Sequence, residues 1–210
     1  TAISKSTKEE ILKHVTIDPA KIKVIYVAIS ERFKRKDRPF NSEKPRILQV
    51  GAAHNKNIPR LITALEGIPC VLVIIGKHNA EYEQMLREKN IAFEYKWGLS
   101  DEEILHQYEQ ADIIALASTY EGFGMPILEG QAVGRPVISA NVFSMPEVAG
   151  DAACMVDPFD TASIRKGLLM IIQDKEYREG LVQKGFENVK RFHPQKIAMQ
   201  YCELYKEIAG

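Results

Sequence analysis

From residue 46 onward, short apolar runs alternate with amphipathic helical segments, and this alternation limits the fold more than any other feature of the chain. RILQVG (46–51) ends in glycine and leads into the helix pattern NIPRLITALEGI. CVLVIIG (70–76) repeats the design ahead of AEYEQMLREKN. IAFEYKWG (91–98) precedes SDEEILHQYEQA, where Ser100 and Glu103 fit a capping box. DIIALAS (112–118), RPVISA (135–140) and the short AACMVD (152–157) supply three further runs, the last expected at a sheet edge. Continuous apolar runs of this length, each feeding a helix, are strands buried on both faces. The expectation is an α/β fold with a doubly wound parallel sheet, closed by helices over 161–208 that start at Thr161 and Pro194.

The first 45 residues follow another pattern. Ser6 and Glu9 fit a capping box ahead of EILKHV, and KVIYV (23–27) reads as a strand with no neighbour in sequence to pair with. A charged, irregular stretch, 29–45, reads as a linker. The division expected is therefore the tail of an upstream N-terminal domain (1–28), a linker (29–45) and one domain (46–210). An unpaired apolar strand seeks a partner. With the final IAMQYCELYKEIA, it makes self-association the expectation for a chain of this extent.

Composition narrows the function. Lysine plus arginine total 28 and aspartate plus glutamate total 28, so no surplus of positive charge points to nucleic acid, and any anion site is local. Cys70, Cys154 and Cys202 are odd in number and lack paired ligand spacing, and the first two lie in apolar runs. Buried thiols in a reducing cytoplasm are expected rather than a disulfide. No apolar run is as long as a membrane span, and no signal peptide opens the sequence.

In an open parallel sheet, ligands bind beyond the carboxyl ends of the strands, where the strand order reverses. One such loop is TYEGFGMPILEG (119–130). Pro126 suits the first turn of a helix, where its missing N–H costs nothing. The N–H groups of Phe123, Gly124, Met125 and Ile127 then lie at a helix start, which holds partial positive charge and suits a phosphate. Glu121 precedes the helix and Glu129 sits one turn inside it. They can therefore reach opposite ends of an elongated ligand and accept hydrogen bonds from hydroxyl pairs there. A sugar at one end, a ribose at the other and a diphosphate between them satisfies all three features. An isolated pair of glutamates at this spacing would be read as a helix-dipole partner and a solvated loop residue; the embedded glycines and proline argue otherwise.

EGFGMPILE resembles the Glu-x7-Glu signature of retaining glycosyltransferases of the GT-B fold, in particular the family 4 group, and the likeness runs from about residue 46 to 208. It implies a Rossmann-like C-terminal domain that binds a nucleotide-diphosphate sugar, UDP-sugar or GDP-sugar. It also implies Glu121 on donor-sugar hydroxyls, Glu129 on the ribose, the backbone of Phe123, Gly124 and Met125 on sugar and distal phosphate, and Ile127 and Leu128 lining the nucleotide side. VGAAHNKN matches the family's glycine turn at Gly51, with Lys56 where the diphosphate-binding lysine is expected. Ala52 and Ala53 stand where the family often has arginine, leaving His54 and Lys77 as local substitutes. KWGLSDEE places Trp97, Gly98 and Leu99 beside the nucleobase, although a lone tryptophan serves equally well as a core anchor. Asn141, Ser144 and Glu147 follow the fifth strand, and turn chemistry with a helix cap at Ser144 accounts for them.

Glu121 and Lys56 are thus the candidate catalytic residues. No Asp-x-Asp pair or ligand-spaced cluster appears, so the expected chemistry uses no metal: a lysine and a helix start stabilise the departing diphosphate. The acceptor, a glycan or lipid-linked glycan, would be met across a cleft by the N-terminal domain, so this chain alone is expected to bind donor without turnover. The resemblance also implies polysaccharide biosynthesis in the cytoplasm, with the full-length enzyme peripheral at the inner face of the membrane. A non-catalytic nucleotide-sugar-binding module and a GT-B epimerase remain the alternatives. A dinucleotide-dependent dehydrogenase is disfavoured because no Gly-x-Gly-x-x-Gly follows a strand.

Overall fold

A computed structural model describes residues 1–209. Strands β1 (Arg46–Val50), β2 (Val71–Ile75), β3 (Ala92–Lys96), β4 (Ile113–Leu116), β5 (Val137–Ala140) and β6 (Cys154–Val156) form one parallel sheet in the order β3-β2-β1-β4-β5-β6. The chain winds outward from β1 to β3, then returns to the other side of β1 to lay down β4, β5 and β6. Register is fixed on both sides of β1, with Arg46 opposite Val71 and Ile47 opposite Ile113. Between β1 and β4 the winding reverses, so the switch point of the sheet, where ligands of such folds bind, lies at their carboxyl ends.

Alternate residues of each strand serve opposite faces. Ile47, Leu72, Ile74, Ile113 and Ile138 pack under α2 (Ile58–Leu65), α3 (Ala80–Glu88) and α7 (Thr161–Gln173). Leu48, Val73, Ile114, Leu116 and Val137 pack under α4 (Asp101–Gln110), α5 (Met125–Val133) and α6 (Met145–Ala149). The capping box at Ser100 and Glu103 is present at the start of α4. Helix α5 lies so close to the sheet that a Cβ at Gly130 would stand 2.6 Å from Ile114 Cγ1. Helices α8 (Lys175–Asn188) and α9 (Pro194–Ala209) complete the fold, and among the described residues no helix is long and apolar enough to cross a membrane. Cys70 and Cys154 are buried, and burial pushes the Cys70 thiol up to about 11, which removes it from thiolate chemistry.

The amino-terminal segment corrects two expectations. Helix α1 (Lys5–His14) is capped by Ser4, whose Oγ accepts the Thr7 N–H at 2.9 Å; Ser6 lies inside the helix. KVIYV is not a strand. Val24 forms a single parallel bridge with Ala2, because the partnering chain turns into α1 at Ser4 and pairing stops there. Ile22, Ile25 and Ile29 are buried, and the Tyr26 ring packs 5.4 Å from that of Phe192 and 6.0 Å from that of Phe123. The stretch 29–45 has no regular structure but is fastened along the domain. Ile29 N–H donates to the Phe192 carbonyl at 3.0 Å, and Lys36 N–H to Val133 at 3.2 Å. The Arg135 guanidinium donates to the Lys36 carbonyl at 2.9 Å, and buried Asp112 accepts the N–H groups of Asn41 and Arg46.

Candidate functional site

The loops after β1 and β4 meet at the switch point and are tied together. Thr119 N–H donates to the Asn55 carbonyl at 2.8 Å, the Asn55 amide donates to the Tyr120 carbonyl at 2.8 Å, and buried Asn57 donates to Ala117 at 2.9 Å. Lys56 reaches back across Gly51, where any Cβ would lie 2.8 Å from Lys56 Cε. Its ammonium stands 2.6 Å from Glu121 Oε1, with the two side chains only 16% and 13% exposed. Ser118 Oγ donates to that same oxygen at 2.8 Å. Both donors fall on Oε1, so Oε2 of Glu121 has no partner among the described residues and remains an acceptor.

Glu129 repeats the arrangement one turn into α5. Fully buried Tyr108, from α4, donates its hydroxyl to Glu129 Oε2, leaving Oε1 without a partner among the described residues. Burial pushes the Glu129 carboxyl above its ordinary range, opposed by the Tyr108 hydroxyl and by the positive charges of Arg32 and Lys56. Arg32, which pairs with Asp101 at 2.5 Å, is a basic group on this side of the site that the sequence patterns did not single out; nor did they single out Tyr108. The folded chain holds the Glu129 proton more tightly than the unfolded chain. Its ionisation therefore costs stability above the raised pKa, and the cost disappears below the ordinary carboxylate range. Glu129→Gln is expected to raise the melting temperature at pH 7, with the difference vanishing near pH 4; a lower melting temperature at pH 7 would contradict this.

Between the carboxylates, the backbone is held from behind. Ser144 Oγ lies 2.7 Å from the Glu121 carbonyl and 3.0 Å from that of Phe123, its single hydrogen shared between them. The Gly122 carbonyl is taken by the hydroxyls of Ser4 and Thr7 at 2.8 and 3.0 Å. Peptide N–H groups point opposite to their carbonyls, so this fixes those of Gly122, Phe123 and Gly124 away from these hydroxyls. With Met125, they have no acceptor among the described residues. Gly124, at φ 101°, provides the left-handed turn into α5. The result is a rigid set of N–H donors at a helix start, suited to an anion.

Some expected positions take other roles. Ile127 and Leu128 are completely buried in the core beneath α5 and line no ligand surface, since a helix this close to the sheet turns its apolar side chains inward. Phe123 is buried too, so only its backbone faces the site. Ser144 stands at the start of α6, but its side chain makes no cap and instead braces the loop. Glu147 accepts the N–H groups of Lys5 and Ser6 at 3.1 Å and so fixes the start of α1. Trp97 is 71% exposed, which rules out the core anchor. With Gly98, Leu99, Gly51 and Lys77 it borders an open cleft of ≈ 710 Å³ over the carboxyl ends of β1, β2 and β3. Ala52 lines that cleft as well, packed so near Gly76 that a Cβ there would stand 2.6 Å from its own.

The chain is a doubly wound parallel-sheet domain with carboxylates, a lysine and N–H groups gathered at its switch point. The family described as glycosyl transferases group 1 matches residues 30–188, and the chain belongs to that family. It is 39% identical over 106 residues to the O-antigen chain mannosyltransferase B of Escherichia coli, a match covering 50% of this chain and 28% of that protein. It is 25% identical over 221 residues to the MMP alpha-(1->4)-mannosyltransferase of Mycolicibacterium hassiacum, covering 98% of this chain and 53% of the relative. The chain thus spans about half or less of the length of these relatives. Among solved structures, sucrose-phosphate synthase from Thermosynechococcus elongatus superposes with a TM-score of 0.83 at 20% identity, over 99% of this chain and 57% of that one. HepE from Anabaena, solved with UDP and glucose, does so with 0.86 at 17% identity, over 98% and 62%. The fold is the Rossmann-like one of GT-B glycosyltransferases.

Proposed function

We propose that the chain is the donor-binding half of a retaining glycosyltransferase that takes its sugar from a nucleoside diphosphate. The observation that carries this reading is the pair of half-anchored carboxylates on either side of one row of free N–H groups. Glu121 Oε2 would accept from sugar hydroxyls and Glu129 Oε1 from the ribose. The diphosphate would lie along the N–H groups of Gly122 to Met125, with Lys56 beside it and the base over the cleft bordered by Trp97, Gly98 and Leu99. As the bond from the anomeric carbon to the diphosphate breaks, negative charge grows on the distal phosphate. A lysine and fixed dipoles already aimed there stabilise it without reorganising. Glu121 pairs with Lys56 at 2.6 Å, so donor entry would exchange one anionic partner of the lysine for another. The acceptor, a glycan or lipid-linked glycan, would be presented by the rest of the full-length protein.

Charge neutralisation by Lys56 and the loop needs no metal ion. Calorimetric titration of UDP and GDP into the chain is expected to show binding of one of them, equally strong in magnesium and in excess chelator. Absence of binding by either would overturn the reading, and binding lost on chelation would overturn its account of charge.

A further inference from the structure

Among the described residues, three other than glycine have positive φ: Asn57 at 57°, Asn90 at 54° and Phe143 at 52°. Asparagine tolerates this region; phenylalanine rarely adopts it. The turn itself has a purpose, since it delivers the next residue, Ser144, to the carbonyls of Glu121 and Phe123. Glycine would make the same turn without strain. Nor does burial account for the ring, which is 43% exposed. Neither the backbone nor the core requires an aromatic side chain here, so the reason for it lies outside the fold. Strained residues persist where they serve a site.

The ring of Phe143 is steadied by Tyr120, itself 45% exposed, in an edge-on contact of 4.8 Å between centroids. Tyr120 directly precedes Glu121. Phe143 also borders a groove of ≈ 380 Å³ against α1, walled by Lys5, Ser6, Glu9, Glu10 and Lys13. Glu147 secures that wall through the N–H groups of Lys5 and Ser6. One half-exposed aromatic ring among carboxylates, ammoniums and a hydroxyl selects by chemistry. A phosphate would meet three carboxylates, Glu9, Glu10 and Glu147, against two ammoniums, Lys5 and Lys13, the second already paired to Glu10 at 2.5 Å. An apolar peptide would find one ring and little else. A pyranose suits both parts: its C–H face lies on the ring, and its hydroxyls reach carboxylate acceptors and ammonium donors.

We propose that this groove binds a pyranose unit of the acceptor glycan, with Phe143 as its floor. Assignment to the acceptor rests on the donor reading above, because the groove is joined through Phe143 to Tyr120, the neighbour of Glu121 in sequence, and shares no residue with the row of N–H groups that would hold the donor.

Saturation-transfer NMR of the chain with methyl α-D-mannopyranoside and methyl α-D-glucopyranoside tests the proposal. Transfer to the ring C–H protons of at least one glycoside is expected, falling roughly fivefold or more in Phe143→Gly and returning in Phe143→Trp. Phe143→Gly should melt no lower than the wild type; if it does, Phe143→Asn, whose side chain suits the turn, replaces it in the comparison. Saturating UDP-glucose or GDP-mannose should leave the transfer in place. No transfer to either glycoside, or transfer unchanged by loss of the ring, overturns the groove as a sugar site. Displacement by the nucleotide sugar overturns its assignment to the acceptor. Failure of UDP and GDP to bind in calorimetry sinks the donor reading instead, and glycoside transfer lost with the Phe143 ring would still stand as evidence of a sugar site.

Discussion

Lys56→Ala is expected, on the function proposed above, to lower kcat for sugar transfer about a hundredfold, the usual effect of removing one fixed donor from a developing oxyanion. The lysine is poised for this role by its surroundings: it is mostly buried, it crosses the backbone at Gly51, and it is held at 2.6 Å by Glu121. The substitution also leaves Glu121 without its cation in a largely enclosed place, so a loss of stability of about 1–3 kcal/mol accompanies it. Lys56→Arg separates the two effects, since it keeps the charge and the partner of Glu121 while shifting the donor's position. Melting temperatures near wild type with kcat still well below it locate the effect in the transition state. A kcat for Lys56→Ala within about threefold of wild type would remove the lysine from the leaving-group site.

The two glutamates should separate in binding experiments. Glu129→Ala is expected to weaken UDP or GDP by about 1.5–3 kcal/mol, the worth of a charged hydrogen bond, which is roughly ten- to a hundredfold in Kd. Glu121→Ala should leave the bare nucleoside diphosphate as tightly bound or tighter, because it frees Lys56 from its resident carboxylate, and should weaken only the intact nucleotide sugar. Calorimetry of both variants with both ligands checks this. Equal loss of the bare nucleotide would show that the carboxylates do not serve opposite ends of one ligand.

Much of this was legible from residue types. Strand runs such as CVLVII and the capping box at Ser100 are local signals, and the structure follows them closely. The loop at 119–130 stood out by two glycines and a proline at a strand end, whereas the switch point between β1 and β4 shows only in the strand order of the folded sheet. Other features were hidden because they depend on distance in sequence. Ser4 and Thr7 meet Gly122 across more than a hundred residues. Tyr108 looks like one more apolar position of an amphipathic helix until its hydroxyl is seen against Glu129. Ile127 and Leu128 were misread for a related reason: a motif shows which residues stand near a ligand but not which way each turns, and the close approach at Gly130 turns these two into the core. KVIYV has strand composition, and its pairing is limited only by how soon Ser4 starts a helix.

The stretch between Ile29 and Arg46 carries a mechanical consequence. Its fastenings at Phe192, Val133, Arg135 and Asp112 stop it from bending, although it looks like a flexible tether. Helix α1 is likewise bolted to Gly122 and Glu147. A pull applied to α1 is therefore not absorbed by slack chain but arrives at the carbonyl of Gly122, in the middle of the row of N–H donors. A rotation of α1 would carry the Ser4 and Thr7 hydroxyls with it and so change the aim of those donors.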